Sequence, residues 1–256
     1  NGAGKSTTIR ALLGLIRPSS GSALLLGQDV RAAGPAILAD VGYLPSETAF
    51  YRGLRVWDVL TLSARLRGQR CAAEAETLCR RLDLDPNKRV ETLSLGNRKK
   101  TAIVCALQHR PKLLILDEPT SGLDPLAQRI FFEILAERNR AGATVFLSSH
   151  TLSEVQRHCR RAAIIREGRI IACDDIERLA KDSPRRVVLQ GVSDFAAPPG
   201  ARSLTREPGQ VSFLYQGPTP ALIDSLQGLP LTDLRVSEPS LEEVFMHYYE
   251  KEEDKR

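Results

Sequence analysis

The 256-residue sequence predicts an α/β fold: a parallel sheet covered by helices, a helical insertion within it, and a small α+β appendix at the carboxyl end. Leu113-Leu114-Ile115-Leu116 is an unbroken aliphatic run that ends in Asp117-Glu118, the pattern of a strand buried on both faces that places polar groups where open α/β sheets bind ligands. The chain opens on Asn1-Gly2-Ala3-Gly4-Lys5-Ser6-Thr7, directly ahead of Ile9, Leu12, Leu13 and Ile16 at helical spacing. Beyond about residue 183 the composition shifts, and Ser183-Pro184 and Pro198-Pro199-Gly200 punctuate a new segment.

Composition narrows the function classes. Hydrophobic residues at 42% and charged residues at 26% are ordinary for a globular chain. A net charge of +5, set against 36 basic and 31 acidic residues, permits anionic partners such as nucleotides or a membrane surface without requiring nucleic acid. The five cysteines form no C-x-x-C pair and their number is odd, which fits reduced, structural thiols. No apolar run approaches the roughly 20 residues of a membrane-spanning helix. A chain of this kind is expected to be soluble, or attached to a membrane through a partner.

Taken in order, the opening residues carry most of a phosphate-binding loop, G-x-x-x-x-G-K-[ST], whose first glycine would fall upstream of Asn1. Gly2 and Gly4 let the backbone curl so that its N–H groups face an anion, Lys5 brings a mobile positive charge, and the Ser6 hydroxyl suits magnesium. A glycine-rich helix entry with no ligand is the plainer alternative. The chain is expected to be truncated at its amino end, lacking the strand that would carry this loop. Pro18-Ser19-Ser20-Gly21 ends the first helix, Ala23–Leu26 and Val41–Leu44 read as short strands, and the second runs into Pro45-Ser46-Glu47. Val56, Val59, Leu60 and Leu62 mark one amphipathic helix and Glu74–Leu82 another, within a helical insertion spanning about residues 47–108. Their arginines read as a solvated face.

Leu93-Ser94-Leu95-Gly96-Asn97-Arg98-Lys99-Lys100 leads into Ile103, Val104 and Leu107 at helical spacing. Three cations in a first turn oppose the helix dipole, where acids are favoured by roughly 0.3–1 kcal/mol each. Ser94 and Gly96 at that helix start form a second potential phosphate site; a capped surface helix with unfavourable charges is the other reading. The acidic pair after the aliphatic run has two readings as well. Either the strand surfaces and ends in solvated acids, or Asp117 holds a magnesium ion carrying nucleotide phosphates while Glu118 orients an attacking water. His150 follows a strand from Ala143 to Ser148 and by itself is an ordinary polar cap.

The order of these segments carries more than any one of them. Lys5-Ser6, Leu93-Ser94-Leu95-Gly96, Ile115-Leu116-Asp117-Glu118, Ser121-Gly122-Leu123-Asp124 and Ser148-Ser149-His150 follow one another in a way that resembles the nucleotide-binding domain of ATP-binding cassette (ABC) proteins, over about residues 1–180. The resemblance implies a P-loop NTPase core that binds ATP and Mg2+. Asn1, Gly2, Ala3, Gly4, Lys5, Ser6 and Thr7 would form the phosphate loop, with Ser6 and Asp117 as magnesium ligands. Glu118 would be the general base, Lys5 and Ser6-Thr7 would grip the β/γ-phosphates and magnesium, His150 would contact the γ-phosphate, and Asp124 would lie in a loop coupling two sites. Ser94 and Gly96 would reach the γ-phosphate held by the other subunit of a homodimer. Two positions depart from the family pattern. Leu95 and Asn97 replace glycine and glutamine of the usual Leu-Ser-Gly-Gly-Gln, and Ser46 stands where a glutamine normally touches magnesium and water and relays closure to the membrane partner. Gly42-Tyr43-Leu44-Pro45-Ser46-Glu47 resembles a subgroup of bacterial export ATPases that carry serine there.

The expected domains are thus 1–182, a nucleotide-binding domain, and 183–249, an accessory α+β domain, followed by a charged tail over 250–256. In the second, Val187-Val188-Leu189, a hairpin at Pro208-Gly209 into Val211–Tyr215, a helix over Pro220–Leu226 and a strand near Leu234–Val236 precede a capping box at Ser240-Leu241-Glu242-Glu243, opening a helix with Val244, Phe245 and Tyr248. Glu238–Phe245 resembles the carboxyl-terminal extension of exporter-type ATPases. The reading is an ATPase subunit of a bacterial-type ABC exporter, with an integral membrane permease as partner and no nucleic acid, cytoplasmic and peripheral at the inner face of the cell membrane. A soluble non-transport ABC ATPase and a weakly hydrolysing regulatory switch are the alternatives. A serine hydroxyl is too short to replace the amide directly and can act only through a bridging water. In the full-length protein Ser46→Gln should therefore raise basal ATP hydrolysis and Ser46→Ala should change it little; abolished hydrolysis in Ser46→Ala would make the serine a direct participant.

Overall fold

A computed structural model describes residues 2–31, 34–181, 184–193, 195–240 and 243–244. Asn1, and Phe245 and Tyr248 of the expected last helix, lie outside the described residues. By packing, the chain divides into residues 1–150 and 151–256. The composition change that set the expected boundary at residue 182 lies inside the second unit.

In the first unit, α1 (Lys5–Leu12) starts from Gly4, whose φ of 105° lies in the left-handed region that glycine enters without steric cost. The helix stops at Leu12, before Ile16, and Gly14 follows with φ 69°. A two-residue hairpin, β1 (Leu24–Leu25) against β2 (Gln28–Asp29), turns through Leu26 and Gly27, and a 3-10 helix (Gly34–Asp40) leads into β3 (Val41–Leu44). Next come α2 (Val56–Leu66), α3 (Ala72–Arg81), α4 (Leu95–Leu107), β4 (Leu113–Asp117), α5 (Pro125–Arg140) and β5 (Thr144–Ser148). The strands β3, β4 and β5 pair in that order, all parallel, with Val41 opposite Leu113, Leu44 opposite Leu116, and Asp117 opposite Ser148.

Alternation along β4 explains its unbroken hydrophobicity. Leu114 and Leu116 enter a core with Leu44, Leu60 of α2, Leu78 of α3, Ile103 and Leu107 of α4, and Phe131 of α5. Leu113 and Ile115 enter another with Val41, Ile9 and Leu13. Every residue of the strand is buried, and each such aliphatic side chain contributes about 1.5–3 kcal/mol by leaving water. Gly42 is required by close approach: a Cβ there would sit 2.2 Å from the Ala106 carbonyl oxygen and 2.7 Å from Leu114 Cδ2.

The helices around the larger core are also joined ionically. The Arg110 guanidinium reaches Glu74 Oε2 at 2.9 Å from Nε and 2.5 Å from Nη2, and Arg138 of α5 binds Glu74 Oε1. Arg81, which reads as part of a solvated face, grips Glu137 of α5 at 2.5 and 2.8 Å. All five cysteines are free thiols, and burial pushes those of Cys79 and Cys105 up to about 11, so they remain protonated core groups.

The second unit holds α6 (Leu152–His158), an antiparallel hairpin of β6 (Arg161–Arg166) and β7 (Arg169–Asp175), and α7 (Ile176–Lys181). A four-stranded antiparallel sheet follows, built from β8 (Arg185–Gln190), β9 (Ala201–Glu207), β10 (Gln210–Tyr215) and, after α8 (Thr219–Leu226), β11 (Asp233–Ser237), in the order β11-β8-β10-β9. Val187, Leu189, Val211, Phe213, Leu222 and Leu226 form its core, and Phe195 stacks on Phe213 with ring centroids 5.3 Å apart. The capping box forms: Ser240 N donates to Glu243 Oε2 at 2.8 Å, and Glu243 N to Ser240 Oγ at 3.3 Å.

Burial alone would raise the Glu74 carboxyl, but the Arg110 and Arg138 hydrogen bonds outweigh it and hold the group below its usual value. A carboxyl depressed by folding contributes stability that is present above its unfolded value, about 4.3, and is lost as pH falls through the folded one. Glu74→Gln should therefore unfold at lower temperature than the parent at pH 7, and the gap should close as pH drops below about 4. A gap that persists unchanged at low pH would show that shape rather than charge matters at this position.

Candidate active site

The parallel register brings the ends of β4 and β5 level, and the site is assembled there. Asp117 is 2% exposed, and its Oδ1 accepts from the Ser148 hydroxyl at 2.5 Å. The same hydroxyl accepts from Glu118 N at 3.3 Å, and Ser148 O accepts from that N–H at 3.1 Å. One serine thus fixes both carboxylate residues to the neighbouring strand. Glu118 itself has φ 49°, a conformation that costs a non-glycine residue roughly 1–3 kcal/mol and that persists only where the surroundings enforce it.

That backbone turn aims the Glu118 side chain at a lysine and a histidine. Its Oε1 lies 3.9 Å from Lys5 Nζ, and its Oε2 lies 2.5 Å from His150 Nδ1 and 3.3 Å from His150 N. With Glu118 ionised, Nδ1 carries the hydrogen of that bond. His150 is 65% exposed on its side chain, whereas Glu118 is largely enclosed.

Of the glycine-rich residues, Gly2 and Gly4 take φ 84° and 105°, and Lys5, Ser6 and Thr7 form the first turn of α1. The N–H groups of a first turn have no partner within the helix and face outward as anion donors. Ala3, Gly4, Lys5 and Ser6 are half-buried and Gly2 and Thr7 exposed; Asn1 lies outside the described residues. Ser6 and Asp117 offer magnesium the oxygen donors it prefers. Among the described residues no group of three or more His, Cys, Asp or Glu could cage a metal, so such an ion would fill its other positions with phosphate and water oxygens.

A second cluster forms at the start of α4. Ser94 caps the helix, its Oγ accepting from Asn97 N at 3.3 Å. A Cβ on Gly96 would lie 2.9 Å from the Gly122 carbonyl oxygen, and one on Gly122 3.1 Å from Leu95 Cδ2, so the loop after β4 interlocks with this turn. Asp124 caps α5 through Ala127 N at 2.9 Å, a bond that together with the nearby Lys100 holds its carboxyl below the usual range. Lys100 Nζ lies 4.0 Å from Asp124. Lys5, Asp117, Glu118 and His150 are thus one cluster, and Ser94, Gly96 and Asp124 another. Among the described residues neither Ser94 nor Gly96 makes a hydrogen bond or ion pair with the first.

Two functional-looking residues fall outside the set read from the sequence. Ser148 was visible only as part of a polar run; its role depends on the β4–β5 register, which local sequence does not state. The Lys99 ammonium, 2% exposed, donates to the carbonyls of Pro45 and Ser46 at 3.1 Å each. The signal was the unfavourable charge in the first turn of α4, and it resolves by Lys99 turning inward and Lys100 pairing with Asp124.

Comparison with known proteins follows the same residues. Residues 1–121 match the family model described as ABC transporter. An ABC transporter ATP-binding protein of Alkalihalophilus pseudofirmus is 30% identical over 96% of this chain and 96% of its own length. The Nod factor export ATP-binding protein I of Cupriavidus metallidurans is 31% identical over 96% of this chain and 84% of its own. The bacitracin transport ATP-binding protein BcrA of Bacillus licheniformis is 36% identical over 74% and 63%. A solved ATP-binding subunit of an ABC transporter superposes with TM-score 0.67 at 32% identity, covering 71% of this chain and 78% of that one.

The Gly96–Gly122 contact leaves no room for a methyl group. Gly96→Ala should keep nucleotide binding at Lys5 and lower turnover by about 10-fold or more, since displacement of a reacting group by 1 Å can cost about 100-fold. Binding of a fluorescent ATP analogue, measured beside phosphate release, separates the two; parent-like turnover would show that the contact is slack.

Proposed function

Because the chain belongs to the family of ABC transporter ATP-binding proteins, which hydrolyse ATP, we propose that it is the ATPase subunit of a membrane exporter. In this reading two copies close around two ATP–magnesium units and drive a separate integral membrane permease from the cytoplasmic face. The observation that carries the catalytic part is Glu118 at the end of β4, held between Lys5 and His150 beside the buried Asp117. The exporter part is supported by relatives named for bacitracin transport and Nod factor export. Among the described residues no helix is long and apolar enough to cross a membrane.

The backbone of Gly2, Ala3 and Gly4 and the side chain of Lys5 bind the β- and γ-phosphates, with Asn1 and Thr7 flanking them. Ser6 and Asp117 would hold magnesium, which would neutralise charge on the phosphates. As the γ-phosphate arrives, Lys5 exchanges Glu118 for phosphate oxygen and frees Oε1. Glu118 then takes the proton of a water whose oxygen attacks the γ-phosphorus, while the bond from that phosphorus to the bridging oxygen breaks and ADP leaves. His150 keeps Oε2 oriented through Nδ1–H and, when Nε2 is protonated as well, donates that second N–H toward the γ-phosphate. Ser94 and Gly96 of the partner copy complete the γ-phosphate shell. Asp124 links the two sites, and Ser46 contributes through water.

Glu118→Gln keeps the shape and loses the base. In the full-length protein it should bind ATP, lose at least about 100-fold in turnover, and elute as a dimer when ATP and magnesium are present. Parent-like hydrolysis would remove Glu118 from the role of base, and a monomer under those conditions would remove the closed dimer.

A further inference from the structure

A lysine is almost never fully buried without a carboxylate partner. Lys99 is 2% exposed, and its two hydrogen bonds run to backbone carbonyls, those of Pro45 and Ser46, at 3.1 Å each. Burial lowers its pKa, and the charges of Asp117 and Glu118 oppose that effect through space. An apolar residue would fill the position at less cost if filling were all it required. The register explains what the cation reaches. Leu44 pairs with Leu116, so residues 45 and 46 emerge from the sheet beside Asp117 and Glu118. Ser94, the cap of α4, Gly96 and Lys99 belong to one rigid helix start.

The geometry points to Lys99 as a positioning residue that ties the Ser46 loop to α4. Its ammonium grips the loop backbone, so engagement of phosphate at Ser94 and Gly96 and placement of the loop beside Asp117 and Glu118 become a single movement. A loop held by its carbonyls needs no long side chain at position 46 to follow the helix. This assignment rests on the roles proposed above for Ser94, Asp117 and Glu118.

The test compares the parent full-length protein with Lys99→Met, which keeps length and packing but donates nothing, and Lys99→Arg, which keeps a cationic donor. In the nucleotide-free protein, amide hydrogen exchange over residues 44–50 should be faster than in the parent for Lys99→Met and match the parent for Lys99→Arg, with residues 101–107 of α4 unchanged in both. For ATP turnover, Lys99→Met should lower kcat about 10- to 100-fold with KM within about twofold of the parent, and Lys99→Arg should retain most of kcat. Unchanged loop exchange or unchanged kcat in Lys99→Met would overturn the tether, as would equal failure of the two variants or a loss of turnover matched by a global loss of stability. A parent protein that turns over no ATP would instead remove the reading of the site, which the nucleotide-free exchange measurement keeps separate from the tether itself.

Discussion

Asp117 places a carboxyl group at the end of a strand that has no solvent on either face, and the arrangement around it follows from making that tolerable. An isolated buried carboxylate would cost several kcal/mol or would take up a proton. Here the Ser148 hydroxyl binds one oxygen, and the Lys99 ammonium acts on it through space. Register does the rest. Since Asp117 lies opposite Ser148, the residue after each strand end, Glu118 on one side and the Ser149-His150 pair on the other, is brought to the same edge of the sheet.

The contacts of Glu118 differ in strength, and the difference has mechanistic content. The Lys5 pair is long, at 3.9 Å, and part-exposed, the kind worth about 0–1 kcal/mol, so Lys5 can be drawn away with little loss. The His150 contact is short, and the strained backbone of Glu118 is anchored separately to Ser148. The carboxylate can therefore lose one cation without losing its aim. Weak on one oxygen and firm on the other suits the role of base proposed for Glu118.

The elements that were legible in the sequence are those with a strong local period: the aliphatic run of β4, the amphipathic stripes of α2 and α3, and the Pro208-Gly209 turn between β9 and β10. The β6–β7 hairpin was not, because its strands are only half-buried and alternate weakly, so no local pattern announces them. The residues of the site could be named from ordered motifs, but not their grouping. That Lys5 meets Glu118, or that Ser148 binds Asp117, depends on pairings across 30 or more positions of chain. The cations after Leu95 are the sharpest case. Their cost to the helix dipole was visible, while its compensation by the Pro45 and Ser46 carbonyls and by Asp124 was not.

The division of β4 between two clusters also bears on cooperativity. Leu114 and Leu116 cannot leave their core without moving Leu113 and Ile115 out of theirs, because all four hang from one stretch of backbone. Neither layer can melt while the other stays ordered, and the first unit should open as a single foldon centred on this strand, with its amides among the last to exchange. Asp117 is itself the last residue of that strand, so its carboxylate is carried by the backbone expected to open last.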